Sequence, residues 1–352
     1  MVDTVARPLA VSPSARFIAR RYEATAAPPV RRNTLTGALL SDFGALEPFA
    51  SDPTVTDIFV NGPERLLVDR GNGVVHERSP WRDEAQLREF AVHLIALGGR
   101  HIDEATPCVD VRLHDGIRVH AVLSPISTQG TLLSIRLPRV ERLSLDDLAA
   151  SGLFVNVSRD IVAELVERRE NLLITGAGGS GKTTLLAALL ATAAPADRII
   201  AIEDVAELRV AHPHFVALES RQPNLEGAGR LGLERLVREA LRMRPDRLVL
   251  GECRGAEIRE LLAALNTGHD GGAGTLHANS VADVPARIEA LGALAGMSPT
   301  AIARQTVSAI GAVLHLEAVP LPGGGSSRLI AQMGRFALDE HGRLHVVVTA
   351  GD

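Results

Sequence analysis

Two hydrophobic rhythms divide this chain. Between positions 36 and 143, short runs of strand-forming residues stand at 55–60, 65–68, 74–76, 109–113, 117–123 and 132–137, and 109–113 and most of 117–123 alternate apolar with polar. A period of two marks a half-buried strand. Turn formers separate these runs: Asn61, Gly62 and Pro63, then Gly71, Asn72 and Gly73, then the hairpin signal His114, Asp115 and Gly116. Helical spacing appears at 36–46 and 84–97. The pattern predicts an α+β domain of ordinary size. From 144 onward the rhythm changes. Continuous apolar runs at 171–175, 198–202, 215–218, 247–250 and 274–276 alternate with helical stretches at 161–168, 182–191, 233–243, 256–266, 281–294 and 300–310. That alternation predicts a parallel or mixed sheet covered on both faces, with ligands at the carboxyl ends of its strands. Three more strands are expected at 312–317, 328–336 and 343–348. The expected organisation is a flexible leader over 1–35, an N-terminal α+β domain over 36–143 and an α/β domain over 144–352. No internal repeat is visible.

Composition narrows the class. Hydrophobic content of 46% supports a real core, and aromatics at 3% mean that core is built from Leu, Val, Ile and Ala. A net charge of −5 argues against a dedicated nucleic-acid binder, so no direct nucleic-acid partner is expected. Cys108 and Cys253 form no C-x-x-C pair, which fits a reduced, cytosolic setting with each thiol acting as a small buried hydrophobe. No run of eighteen apolar residues suggests a membrane span, and the N-terminus lacks the apolar centre of a secretory signal. Work at a membrane would require recruitment by a partner.

The chemistry concentrates after the first strand of the second domain. Gly176, Ala177, Gly178, Gly179, Ser180, Gly181, Lys182, Thr183 and Thr184 complete the pattern G-x-x-x-x-G-K-[ST]. Glycines let the backbone curl with its N–H groups inward, and the following helix points its positive end at the same anion. Lys182 is placed for the β/γ-phosphates of ATP and Thr183 for Mg²⁺. A plain glycine-rich turn would not require Lys and Thr after the last glycine.

Three further strand ends add chemistry. Glu203, Asp204 and Glu207 follow the strand at 198–202, well sited to bind Mg²⁺ or orient an attacking water. An exposed acidic turn is the alternative. Glu252 ends the apolar strand at 247–250 as a Walker B acid, with Glu in place of the usual Asp; a surface pair with Arg254 is the competing reading. His277 ends the strand at 274–276 after a Gly-rich loop, as a γ-phosphate sensor or else a core histidine. Arg112, Arg118 and Arg136 fall on strands of the first domain, and Arg238, Arg242, Arg244, Arg247 and Arg254 surround the Walker B strand. An arginine reaching a γ-phosphate from another domain couples hydrolysis to motion; a solvated charged face is the alternative.

The segments GAGGSGKTT, IEDVAEL, VLGECRG and NTGHDGGAGTLHANS stand in the order of Walker A, Asp box, Walker B and His box. This order resembles the secretion-traffic ATPases of type II secretion, type IV pili and type IV secretion. The stretches at 46–70, 109–123 and 219–230 are similar to the CpaF/TadA branch, the tight-adherence (Flp) pilus assembly ATPases, including actinobacterial forms associated with conjugal transfer. The resemblance covers about residues 44–318. It implies a RecA-like P-loop core with a smaller PAS-like α+β domain, and a homo-oligomer, a hexameric ring holding ATP between the two. It also implies a cytoplasmic protein docked peripherally on inner-membrane platform proteins. By the same resemblance Glu207 polarises water, Glu252 is the Walker B acid with Lys182 at the phosphates, Arg118 and Arg136 reach the nucleotide phosphates, and His277 is the His-box histidine. Two departures stand out: Gln222 occupies a usual proline position, and Cys253 follows the Walker B acid in place of an aliphatic residue. The expectation is a Mg-ATP-hydrolysing motor for pilus assembly or protein secretion. Its rivals are a conjugative DNA-transfer motor and a non-catalytic nucleotide switch.

Overall fold

The structure is a computed structural model that describes residues 37–71, 73–113, 116–137, 143–221, 229–320 and 326–351. The leader expected at 1–35, the turn residues Asn72, His114 and Asp115, and Gln222 lie outside the described residues.

The N-terminal part holds β1 (Asp57–Asn61), β2 (Leu66–Asp69), β3 (Val74–Glu77), β4 (Cys108–Arg112), β5 (Arg118–Val122) and β6 (Leu132–Arg136) in one antiparallel sheet of order β3-β2-β1-β6-β5-β4. Alternation decides its faces: Ile58, Val60, Val119, Ala121, Leu133 and Ile135 are buried. A helix packs with that core through Leu87, Ala91, Leu94 and Ile95, residues at i, i+4, i+7 and i+8. Asp83 caps it by accepting from the Gln86 N–H. The stretch expected as one helix at 36–46 is broken. α1 (Gly37–Asp42) stops before Gly44, whose φ of +46° leaves the helical region. A 3₁₀ turn over Gly44–Leu46 and α2 (Glu47–Ala50) follow, which lets Phe43 and Leu46 both enter the core. The packed helix is therefore α3 (Glu84–Leu97).

The larger sheet runs β14-β13-β12-β7-β11-β10-β8-β9. Its parallel strands are β7 (Leu172–Gly176), β8 (Ile199–Glu203), β9 (Phe215–Glu219), β10 (Arg247–Leu250), β11 (Ala273–His277) and β12 (Ala312–Pro320). β13 (Ser326–Leu338) and β14 (Leu344–Ala350) extend it antiparallel. The continuous apolar runs are explained by two cores. Leu173, Ile200, Leu248 and Leu250 face one layer with α7 (Leu233–Leu241), α8 (Glu257–Leu265), α9 (Val284–Leu294) and α10 (Pro299–Ala309). Ile174, Ile199, Ala201 and Val249 face the other, with α4 (Leu145–Ala150), α5 (Arg159–Glu167) and α6 (Lys182–Leu190). The molecule is thus a mixed α/β fold, a P-loop core carrying a smaller N-terminal α+β domain.

One further feature differs from the sequence reading: α4 was not expected, although Ser144 and Asp147 form a capping box at its start. The three expected tail strands join the main sheet, and β12 pairs directly with β7, placing Leu316 opposite Gly176.

Candidate nucleotide-binding site

β7, β8, β10 and β11 end on the same edge of the parallel sheet, which brings the four sequence segments together. β7 runs into the glycine loop, and Gly176, Gly179 and Gly181 have φ of +148°, +74° and +97°. Only glycine takes such angles without strain. At Gly176 there is also no room: an added Cβ would lie 2.4 Å from the Leu316 carbonyl oxygen. Lys182 opens α6 at 7% exposure and donates its Nζ to the carbonyls of Gly176 (2.9 Å) and Ala177 (2.8 Å). Burial depresses its pKa, opposed by the charge of Glu252. Ser180 has a buried Oγ with no partner, inside the same loop. Thr183 follows Lys182 on the first helical turn, half-buried, and Thr184 is exposed.

The Walker B tip sits beside this loop. Glu252 accepts from Arg254 (2.6 Å) and pairs with His277 Nε2 (3.1 Å). The β7–β11 register sets His277 opposite Gly176, and a Cβ on Gly178 would stand 3.7 Å from its Cε1. Burial pushes the Glu252 pKa up, but the hydrogen bond and charge of Arg254, with His277 and Lys182, hold it below the ordinary carboxylate value. His277 is pushed down by burial and by the Lys182 charge, so at neutral pH it is a neutral imidazole. Cys253 is buried beneath, its thiol pushed up by burial, and it packs as a hydrophobe as expected, whereas Cys108, expected to do the same, is exposed on the N-terminal sheet.

The Asp box divides into an anchor and a working edge. Glu203 is 5% exposed, and its carboxylate accepts from the N–H groups of Glu207 (3.0 Å) and Leu208 (3.2 Å). Burial raises its pKa to about 7 against those hydrogen bonds. Both Glu203 oxygens accept from backbone N–H groups, so in this geometry the metal contact expected of Glu203 would have to compete with that anchor. Gly251 makes space for it, since a Cβ there would fall 2.4 Å from the Glu203 Cγ. Glu207 projects from the loop so anchored, and its carboxylate pairs with Arg118 of the N-terminal domain. Asp204 accepts from the Ser220 hydroxyl at 2.9 Å. Arg254 feels Glu252, Asp204 and Glu207 together, so it joins the Walker B tip to the Asp box.

The N-terminal arginines form a cross-strand row. Register places Arg112 opposite Arg118, and Arg118 opposite Arg136. Arg112 reaches Glu219 at 2.5 Å, so two ion pairs span the domains. Between them lies a cleft of about 1220 Å³ bordered by Arg112, Arg118, Asp204 and Ser220. Arg136 stays outside, bonded to Asp57 at 3.1 Å on the exposed side. The arginines around the Walker B strand also separate. Arg254 belongs to the site, Arg247 is buried against Asp197, and Arg238 pairs with Glu260 on the helical layer.

The residues fit a nucleoside triphosphate with Mg²⁺. The loop is shaped by left-handed glycines, its lysine has only neutral carbonyls in hydrogen-bonding contact, and a buried hydroxyl lacks a partner. No cluster of three or more His, Cys, Asp or Glu suited to a metal occurs among the described residues. Mg²⁺ bound to a triphosphate needs only one or two protein ligands, and Thr183 and Glu252 could provide them.

A family model for "Type II/IV secretion system protein" matches residues 40–316. The chain belongs to that family. A Mycobacterium tuberculosis (strain H37Rv) protein named for conjugal transfer, Rv3659c, is 46% identical over 293 residues, covering 82% of each chain. The conjugal transfer protein TrbB of Rhizobium radiobacter is 34% identical over 247 residues, covering 68% of this chain and 73% of its own. In fold, the chain is similar to the Legionella pneumophila ATPase DotB, with a TM-score of 0.58 at 18% identity, covering 90% of this chain and 84% of the other. With the complete phosphate loop, membership makes this chain a P-loop ATPase of the secretion-system class. No helix among the described residues is long and apolar enough to cross a membrane.

Sequence reasoning missed one loop residue. Arg328 on β13 donates its Nε to the Gly179 carbonyl at 2.9 Å. No motif contains it; only the β12–β13 pairing brings it there.

Proposed function

We propose that this chain is the ATP-hydrolysing motor of a pilus-assembly or type II/IV secretion apparatus. It works as a hexamer on the cytoplasmic face of the inner membrane, against platform proteins. The observation that carries this reading is the Arg118–Glu207 pair, because it ties the candidate water-activating carboxylate to the other domain. Lys182 and the loop amides hold the phosphates, with Thr183 and Glu252 at Mg²⁺, which when bound neutralises phosphate charge. Glu207 orients the attacking water. In the state described, its carboxylate is occupied by Arg118. Phosphates held at the loop compete for that guanidinium, free Glu207 and draw the N-terminal domain inward. Arg136 would join only after such a movement. His277, neutral and shared with Glu252, reports nucleotide state. The stretches at 46–70, 109–123 and 219–230 support the tight-adherence (CpaF/TadA) branch as the finer assignment.

A conjugative apparatus is the second reading, favoured by the conjugal-transfer names of two relatives. It predicts stimulation of ATP turnover by DNA.

The test is Glu207→Gln. Removing a general base typically costs about 10²–10⁴-fold, so turnover should fall at least about 100-fold while binding of ATP with Mg²⁺ persists. Normal turnover in the variant removes Glu207 from its role. Negligible turnover in the unaltered protein, with binding intact, favours a nucleotide switch.

A further inference from the structure

We infer that Arg328 is a positioning residue for the phosphate loop, supplied by the C-terminal hairpin rather than by any of the four motifs. β12 pairs with β7, and β13 pairs with β12 so that Arg328 stands opposite Ala318. From there its Nε–H reaches the Gly179 carbonyl at 2.9 Å. Its aliphatic stem lies against the start of α6: a Cβ on Gly181 would sit 3.1 Å from the Arg328 Cδ. The side chain therefore touches the loop at two glycines, both with positive φ.

This contact has a direct consequence for anion binding. In a trans peptide the C=O of one residue and the N–H of the next point in opposite directions. Holding the Gly179 carbonyl outward turns the Ser180 N–H inward, where it makes only a long 3.3 Å contact to the Ala177 carbonyl. Lys182 holds the carbonyls of Gly176 and Ala177 in the same way until phosphate arrives. A nest of inward N–H groups is what a phosphate needs. Arg328 keeps the far side of that nest open without itself entering it. The phosphate loop and the tail hairpin thereby meet through one side chain.

The inference rests on ATP binding at this loop, so the experiment carries a control for that. Binding of a fluorescent ATP analogue with Mg²⁺, KM and kcat for ATP, and thermal unfolding are measured for the full chain with Arg328→Ala, Arg328→Lys and Lys182→Ala. Arg328→Ala should weaken nucleotide binding and raise KM about tenfold, the effect of losing one charge-assisted hydrogen bond, with kcat within about twofold. Arg328→Lys, which keeps a donor and a charge, should recover about half of that loss. Unchanged binding in Arg328→Ala while Lys182→Ala loses it overturns the role of Arg328 alone. Binding retained in Lys182→Ala overturns the reading of the loop. A lower melting temperature in Arg328→Ala with unchanged KM, or a defect that Lys does not relieve, reduces Arg328 to a packing residue and also overturns the inference.

Discussion

The two ends of the large sheet both bury charge, and they do it differently. At the amino ends, Arg247 is 3% exposed and donates to Asp197 (2.7 Å), to the Val166 carbonyl (3.1 Å) and to the Gly271 carbonyl (3.4 Å). Arg169 adds a second bond to Asp197 at 2.9 Å and one to the Asp246 carbonyl at 2.7 Å. Burial works to raise the Asp197 pKa, and the two guanidiniums bring it below normal. That network is closed. At the carboxyl ends, Lys182 has carbonyls where a buried cation would gain more from an anion, Ser180 Oγ has no partner, and Glu252 and Glu207 are held by side chains that can move. Burial of charge therefore does not mark a functional site. What marks it is charge whose partners are provisional.

The comparison breaks most sharply under substitution of its anions and cations. Asp197→Ala leaves Arg247 buried without a counter-charge, and breaking a buried pair costs about 3–5 kcal/mol. Urea unfolding should show that loss, while nucleotide affinity in the still-folded fraction stays within about twofold. Lys182→Ala should do the reverse. It removes a desolvated cation with no carboxylate in hydrogen-bonding contact, so stability should change by less than about 1 kcal/mol. ATP turnover should fall at least about 100-fold, the scale of losing a group that stabilises transferring phosphate. If the two variants show the same profile, the distinction between closed and provisional charge fails.

Much of this was legible in the chain. Continuous apolar runs place the central parallel strands β7, β8, β10 and β11 within a residue, because a strand buried on both faces has no polar positions to blur its ends. That the loop, Glu207, Glu252 and His277 gather at one edge follows from motif order, since each lies at or shortly after the end of its own strand. What was not legible depends on pairing between distant segments. The Glu252–Arg254 pair is local and was weighed from the sequence, but Arg247, which flanks the same strand, faces Asp197 fifty residues away at the closed end. Arg118 and Glu207 meet only because two domains pack. Arg328 needs the tail strands to continue the main sheet. Glu203 looked like a third working acid because sequence shows a cluster, not which member turns inward. One miss was avoidable: Ser144 and Asp147 carry the capping signal for α4.

Glu203 gives the smallest effect and the finest test, because it is a closed charge at the provisional end. Its pKa stands at about 7 in the fold against an ordinary value of 4.5. The folded protein thus favours the protonated acid. Its stabilising contribution is complete below about pH 4.5 and is lost as pH climbs through about 7. At about 1.4 kcal/mol per pKa unit the loss is of order 3 kcal/mol, and ionic form at alkaline pH is tolerated because the Glu207 and Leu208 N–H groups remain as donors. Glu203→Gln keeps the shape and cannot ionise, so the unaltered protein should lose about 2–3 kcal/mol relative to the variant between pH 5 and pH 8. Urea unfolding at four pH values measures it. Parallel curves would mean that Glu203 ionises as freely as a surface acid, and that the anchor under Glu207 is looser than its burial implies.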